Sequence, residues 1–184
     1  MEIEGKNMKK YASLYMQTEY SLLSSMLSLS KLKDVLENMN YKAYAICDNA
    51  MHGAYKFYKL CKSNDIKPII GLRLKLYNEN FDNMVLLYAK DMEGYVSLMK
   101  ISSQYEIKKE EVTKEFLHLN NKGLLAIIPV FENELNVYYQ NKEIDTLNDC
   151  ILEYKKIFDD LYFGFGFDTA GDGTINFISV EASV

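Results

Sequence analysis

Apolar positions along the chain follow two spacings, and these predict an orderly succession of strands and helices. Residues 11–17 read as a short strand, halted by the polar pair Thr18-Glu19. Ser28 or Ser30 can cap a helix whose apolar stripe is Leu32, Val35, Leu36 and Met39, at i, i+3, i+4 and i+7. Residues 43–47 form a compact apolar run, the pattern of a buried strand, ending at Asp48. A second helix places Ala54, Phe57, Tyr58 and Cys61 on one face. Residues 66–77 predict a strand in which Leu72, Leu74 and Leu76 share one side and the other side is wet. Residues 84–89 predict a further buried strand, and Asp91 can cap a helix turning Tyr95, Leu98, Met99 and Ser102 inward. A short helix over 110–119 and a strand over 123–130, ended by Pro129, come next. A long helix carrying Leu147, Cys150, Ile151, Tyr154 and Phe158 and an aromatic strand over 161–167 complete the series.

This alternation points to an α/β fold with mostly parallel strands, as an open sheet or a barrel. Residues 168–184 differ in character, with glycines and small polar residues before an apolar run at 175–180; they read as a turn and one more strand, or as a segment foreign to the domain. Three parts follow: an N-terminal extension (1–10), a main domain (11–167) and a tail of uncertain origin (168–184).

Composition narrows the class. With 184 residues, 48% hydrophobic and 26% charged, the chain is long enough for one domain with a sizeable core. No run approaches the length of a membrane span, and the first ten residues lack the apolar core of a secretory signal, so a cytoplasmic protein without membrane contact is expected. Three widely spaced cysteines, Cys47, Cys61 and Cys150, suit reduced thiols better than a disulfide framework or a zinc site. Net charge is −5 and Arg73 is the only arginine, which argues against a domain that grips nucleic acid by itself. Most of the 15 tyrosines fall on apolar helix faces or in strands, where core packing accounts for them.

Chemistry in such folds gathers where strands end and loops begin. Three segments qualify: Tyr15-Met16-Gln17-Thr18-Glu19-Tyr20-Ser21-Leu22-Leu23; Ala45-Ile46-Cys47-Asp48-Asn49 with His52-Gly53-Ala54; and Ile66-Lys67-Pro68-Ile69-Ile70-Gly71-Leu72-Arg73. Together they resemble the PHP (polymerase and histidinol phosphatase) domain at the N-terminus of bacterial DNA polymerase III alpha subunits. That family's first segment reads His-x-His-Thr-Glu-Tyr-Ser-Leu-Leu; here Thr18 to Leu23 match, and Tyr15 and Gln17 stand where the histidines would be. Its second reads Thr-Asp-His-Gly, then Gly-Ala and a Phe-Tyr-Lys helix. Asp48, Gly53-Ala54 and Phe57-Tyr58-Lys59 match, Asn49 replaces the histidine, and His52 has no clear counterpart. Its third reads Gly-Ile-Lys-Pro-Ile-Ile-Gly-x-Glu; Ile66 to Gly71 match, and Arg73 replaces the glutamate. Leu86-Leu87-Tyr88-Ala89-Lys90, Glu93-Gly94-Tyr95 and Leu98-Met99-Lys100 continue the likeness, which weakens over 105–167 and is lost over 168–184.

The resemblance implies a PHP-type distorted (β/α) barrel, incomplete in this chain, and a fragment or a truncated paralogue of a longer polymerase. It also implies that Tyr15, Gln17, Asp48, Asn49 and Arg73 occupy former metal-ligand positions. A phenol titrating near ~10, two amide oxygens and a permanent cation are poor company for a divalent metal. No catalytic residue, metal or cofactor is therefore expected in this chain. The parent would join deoxynucleotides with magnesium, as a nucleotidyltransferase of DNA replication. Its partners would be the rest of the polymerase chain and replisome subunits such as a proofreading exonuclease, with DNA met only through the parent. Asp48 and Arg73 could replace the metal by an internal salt bridge. Two other readings stand beside this: a phosphoesterase or 3′–5′ exonuclease with a remodelled metal set including Asp48 and His52, and a stand-alone interaction module. His118, in a helix of acids and lysines, reads as exposed, and Asp168, Asp172 and Gly164, Gly166, Gly171 and Gly173 as a plain turn rather than a phosphate or calcium loop.

Overall fold

The computed structural model describes residues 13–21, 24–32, 34, 42–78, 80–81, 83–129, 133–168 and 175–182, with side chains not described beyond residue 164. The chain divides into two compact units, Met1–Gly71 and Leu72–Val184. Its strands are β1 (Ala43–Asp48), β2 (Lys67–Leu76), β3 (Asn83–Ala89), β4 (Leu124–Pro129), β5 (Asp160–Asp168) and β6 (Ile175–Ala182). Its helices are α1 (Ala54–Ser63), α2 (Met92–Glu106), α3 (Lys114–Leu119), α4 (Glu134–Gln140) and α5 (Ile144–Ile157), with a 3-10 turn at Met51–Gly53.

In the first unit β1 is buried along almost its whole length, as its apolar run requires. Residues 13–17 lie beside β1 as extended chain: the Ala45 and Cys47 amides donate to the Ser13 and Met16 carbonyls at 3.2 and 2.8 Å. Residues 29–32 and 34 are helical, and the Ser28 hydroxyl accepts from the Ser30 amide at 3.3 Å, so Ser28 is the cap. Leu29 and Leu32 are buried; Val35, Leu36 and Met39 lie outside the described residues. Helix α1 buries Ala54, Phe57 and Cys61. Tyr58, expected on that buried face, is 44% exposed, because it sits at the margin of the stripe.

In the second unit Leu72, Leu74 and Leu76 of β2 are buried while Lys75 between them is exposed, the alternation read from the sequence. The strands there are not mostly parallel: β3 pairs antiparallel with β4, β4 parallel with β5, and β5 antiparallel with β6. Alternation of strands and helices sets the order of elements, and a connection holding two helices leaves the chain free to return in either direction. The parallel pair β4/β5 is bridged by α4 and α5, the long crossover that parallel strands need. The run at 175–180 is a strand paired to β5. Helix α2 is capped as expected, the Asp91 carboxylate accepting from the Gly94 amide at 2.9 Å. It turns Gly94, Ser97, Leu98, Ile101 and Ser102 inward; Met99, expected inside, is 48% exposed. Where α2 starts, a Cβ on Gly94 would lie 2.0 Å from the Gly123 carbonyl oxygen, and Gly123 itself has φ +67, so this close backbone crossing admits only glycine.

Candidate functional site

In the first unit the loop that follows residues 13–17 folds over the end of β1. Thr18 and Ser21 are both buried and separated by one turn, with the Ser21 amide donating to the Thr18 carbonyl at 2.9 Å. The loop is held from outside as well: the Glu19 amide donates to the Leu27 carbonyl at 2.8 Å, and the Ser25 hydroxyl to the Gln17 carbonyl at 2.8 Å. This turn delivers three donors to one carboxylate. Asp48, 1% exposed at the end of β1, accepts from the Thr18 amide at 2.6 Å and the Ser21 hydroxyl at 2.7 Å on Oδ1. Its Oδ2 accepts from the Thr18 hydroxyl at 2.6 Å. Short bonds to a charged acceptor are the strong kind, and they replace the water that burial removes. The Ser21 oxygen also accepts from the Asn49 amide at 3.1 Å, which ties the loop to the residue after the strand.

Of the five residues that the resemblance aligns with the family's metal ligands, the first unit brings three together: Gln17 Nε2 donates to Asn49 Oδ1 at 3.3 Å, beside Asp48. Tyr15 lies on the same extended segment and is half-buried. Arg73 belongs to the second unit, half-buried on β2. His52 is exposed on the 3-10 turn, while Asp48 is hydrogen-bonded to Thr18 and Ser21. His118 is exposed on α3. Asp168 ends β5, and Asp172 is outside the described residues. Among the described residues, no group of three or more His, Cys, Asp and Glu side chains is placed to hold a metal ion.

Sequence reasoning passed over Thr18 and Ser21 as partners of Asp48. The available signal was their i, i+3 spacing directly after an extended segment, which lets two hydroxyls converge on one point. Gly53 was matched but not explained: a Cβ there would stand 2.7 Å from the Tyr20 ring, so glycine lets Tyr20 close over the turn.

A second polar cluster lies in the other unit. Glu134 of α4, 3% exposed, accepts from Lys114 Nζ at 3.0 Å, Cys150 Sγ at 3.1 Å and Asn78 Nδ2 at 3.0 Å. Lys114 also reaches Glu153 at 2.8 Å and stands 4.7 Å from the Tyr154 ring centre. Burial pulls the Lys114 ammonium down, but its bonds to Glu153 and Glu134 outweigh that and hold it above the ordinary lysine range. Burial, then the bond to Glu134, pushes the Cys150 thiol up. Such a thiol is a structural donor, not a nucleophile.

The PHP domain family matches residues 13–168. The DNA polymerase III alpha subunit of Campylobacter jejuni is 32% identical over 180 residues, covering 85% of this chain and 15% of that protein. The alpha subunit of Bacillus subtilis is 30% identical over 162 residues, covering 85% of this chain and 14% of that protein. The chain thus spans about one seventh of the length of these relatives. A solved structure from Bifidobacterium adolescentis, assigned as a metal-dependent phosphoesterase, aligns at TM-score 0.40 and 12% identity over 50% of this chain and 32% of its own, too slight a likeness to bear on function. The α/β fold, the three sequence blocks and the match over most of the length agree: the chain belongs to the PHP domain family, and its curated relatives are DNA polymerase III alpha subunits.

Proposed function

We propose that this chain is a PHP domain, comprising residues 11–167, that serves as a docking scaffold within a DNA polymerase III alpha subunit and does no hydrolysis itself. The observation that carries this reading is the state of Asp48. The one carboxylate at the former ligand positions already holds three hydrogen bonds from its own chain. Beside it Gln17 donates one amide hydrogen bond to Asn49, and Tyr15 and Arg73 supply a phenol and a cation. These residues do not fit a divalent metal, which needs several anionic or imidazole donors converging on one point.

In this role the domain supports the polymerase chain and presents a surface to replisome subunits, a proofreading exonuclease among them. Deoxynucleotide transfer with magnesium would belong to parts of the parent outside this chain, in the cytoplasm. No helix among the described residues is long and apolar enough to cross a membrane. The test is metal content. Purified chain equilibrated with zinc or manganese at neutral pH and then desalted is expected to retain less than stoichiometric metal and to leave a model phosphate ester and a 3′-labelled oligonucleotide intact. One metal per chain, lost in Asp48→Ala, together with ester or oligonucleotide hydrolysis, would replace the scaffold by a phosphoesterase or exonuclease built on Asp48 and His52.

A further inference from the structure

Helix α1 carries a surface that neither the core nor the Asp48 site uses. Its sequence, Ala54-Tyr55-Lys56-Phe57-Tyr58-Lys59-Leu60-Cys61-Lys62-Ser63, holds three lysines and no acid, in a chain whose net charge is −5. Alongside the face that buries Ala54, Phe57 and Cys61, the helix presents Tyr55, Tyr58, Lys59 and Lys62 at i, i+3, i+4 and i+7, which is one continuous stripe. Tyr55 is 64% and Tyr58 44% exposed, contrary to the expectation that tyrosines serve the core. Each ring has its own lysine: Lys59 Nζ stands 4.5 Å from the Tyr55 ring centre, and Lys62 Nζ 5.9 Å from that of Tyr58. Lys56 faces Glu19 at 3.8 Å, so the excess positive charge rests on Lys59 and Lys62.

Two large aromatic side chains and two ammoniums side by side on one helix form a partly apolar, cationic strip. We propose that this strip docks an acidic segment of a partner protein, one that sets carboxylates against Lys59 and Lys62 and apolar side chains against the tyrosines. The charge selects an anionic occupant. A polyanion would meet the repulsion of the whole chain, whereas a few carboxylates meet mainly the local lysines. The proposal rests on the scaffold reading, but the metal test that decides that reading does not involve this strip, so the two fail separately.

The experiment compares two labelled probes on the full chain by fluorescence anisotropy: a helical peptide of glutamates and leucines, and an oligothymidylate of equal formal charge. The peptide is expected to bind, less tightly as salt rises. Reversing the charges in Lys59→Glu/Lys62→Glu is expected to weaken it by about tenfold, and the charge-neutral pair Tyr55→Ser/Tyr58→Ser is expected to weaken it too. Lys100→Glu/Lys108→Glu, an equal reversal on exposed residues elsewhere, should leave it unchanged. Preference for the oligothymidylate, peptide binding indifferent to both α1 variants, or no binding of the peptide would each overturn the proposal.

Discussion

A carboxylate removed from water must lose its charge or be surrounded by donors, and at Asp48 the surrounding is complete. Asp48→Ala strands the Thr18 amide and two hydroxyls without their acceptor, so a loss of about 2–4 kcal/mol in stability is expected, read by urea denaturation. Asp48→Asn should lose less, because its amide oxygen still accepts while its NH2 opposes one of the donors. Cys61 supplies a prediction of the opposite kind. Burial pushes its thiol up to about 12 from the usual 9.0. Folding therefore favours the protonated form. Stability should be level below pH 9.0, fall as the unfolded chain gains a thiolate, and stop falling near 12 from this source. Cys61→Ser, followed by denaturation across that range, should flatten the dependence. The i, i+3 spacing of Thr18 and Ser21 lets two hydroxyls converge, but the sequence does not say that they meet at Asp48. The chain separation of 27 to 30 residues is bridged only once the loop folds over β1, although Thr18 and Ser21 themselves stood in the recognised block.

Strands were the elements most open to reading, because β1, β3 and β4 are nearly continuous apolar runs and β2 alternates. Helix α4 was missed. Its seven residues, Glu134-Leu135-Asn136-Val137-Tyr138-Tyr139-Gln140, carry no clear apolar period and many poor helix formers; what sets it is tertiary, an Asn133 cap on Leu135 and the Asn83 side chain accepting from the Glu134 amide at 2.8 Å. Strand direction was likewise closed to the sequence, since hydrophobic spacing says which face is dry and not which way the chain runs. The Glu134 cluster links α3, α4, α5 and the segment after β2, and its removal tests how far that linkage matters. Glu134→Ala leaves Lys114 and Cys150 without their shared acceptor and is expected to cost about 3 kcal/mol in chemical denaturation. The double change Glu134→Leu/Lys114→Met, which removes both charges and keeps the volume, should recover most of that loss.

At the scale of the whole chain, family membership came from short blocks in fixed order, and the proposed loss of hydrolysis from the residues that those blocks align with the family's metal ligands. Charge was the coarser guide. A net −5 spread over the molecule gave no hint that α1 is wholly basic and partly aromatic on its outer side, because composition averages over faces. The extended stretch at 13–17 has a further consequence. By accepting from Ala45 and Cys47 it occupies the flank of β1 that would otherwise offer unpaired amides to a neighbouring chain. A shortened protein beginning after Ser21 would lose that shield and the Asp48 donors in a single cut. Such a protein should self-associate, its light scattering climbing with concentration, while one beginning at Ser13 should stay dispersed.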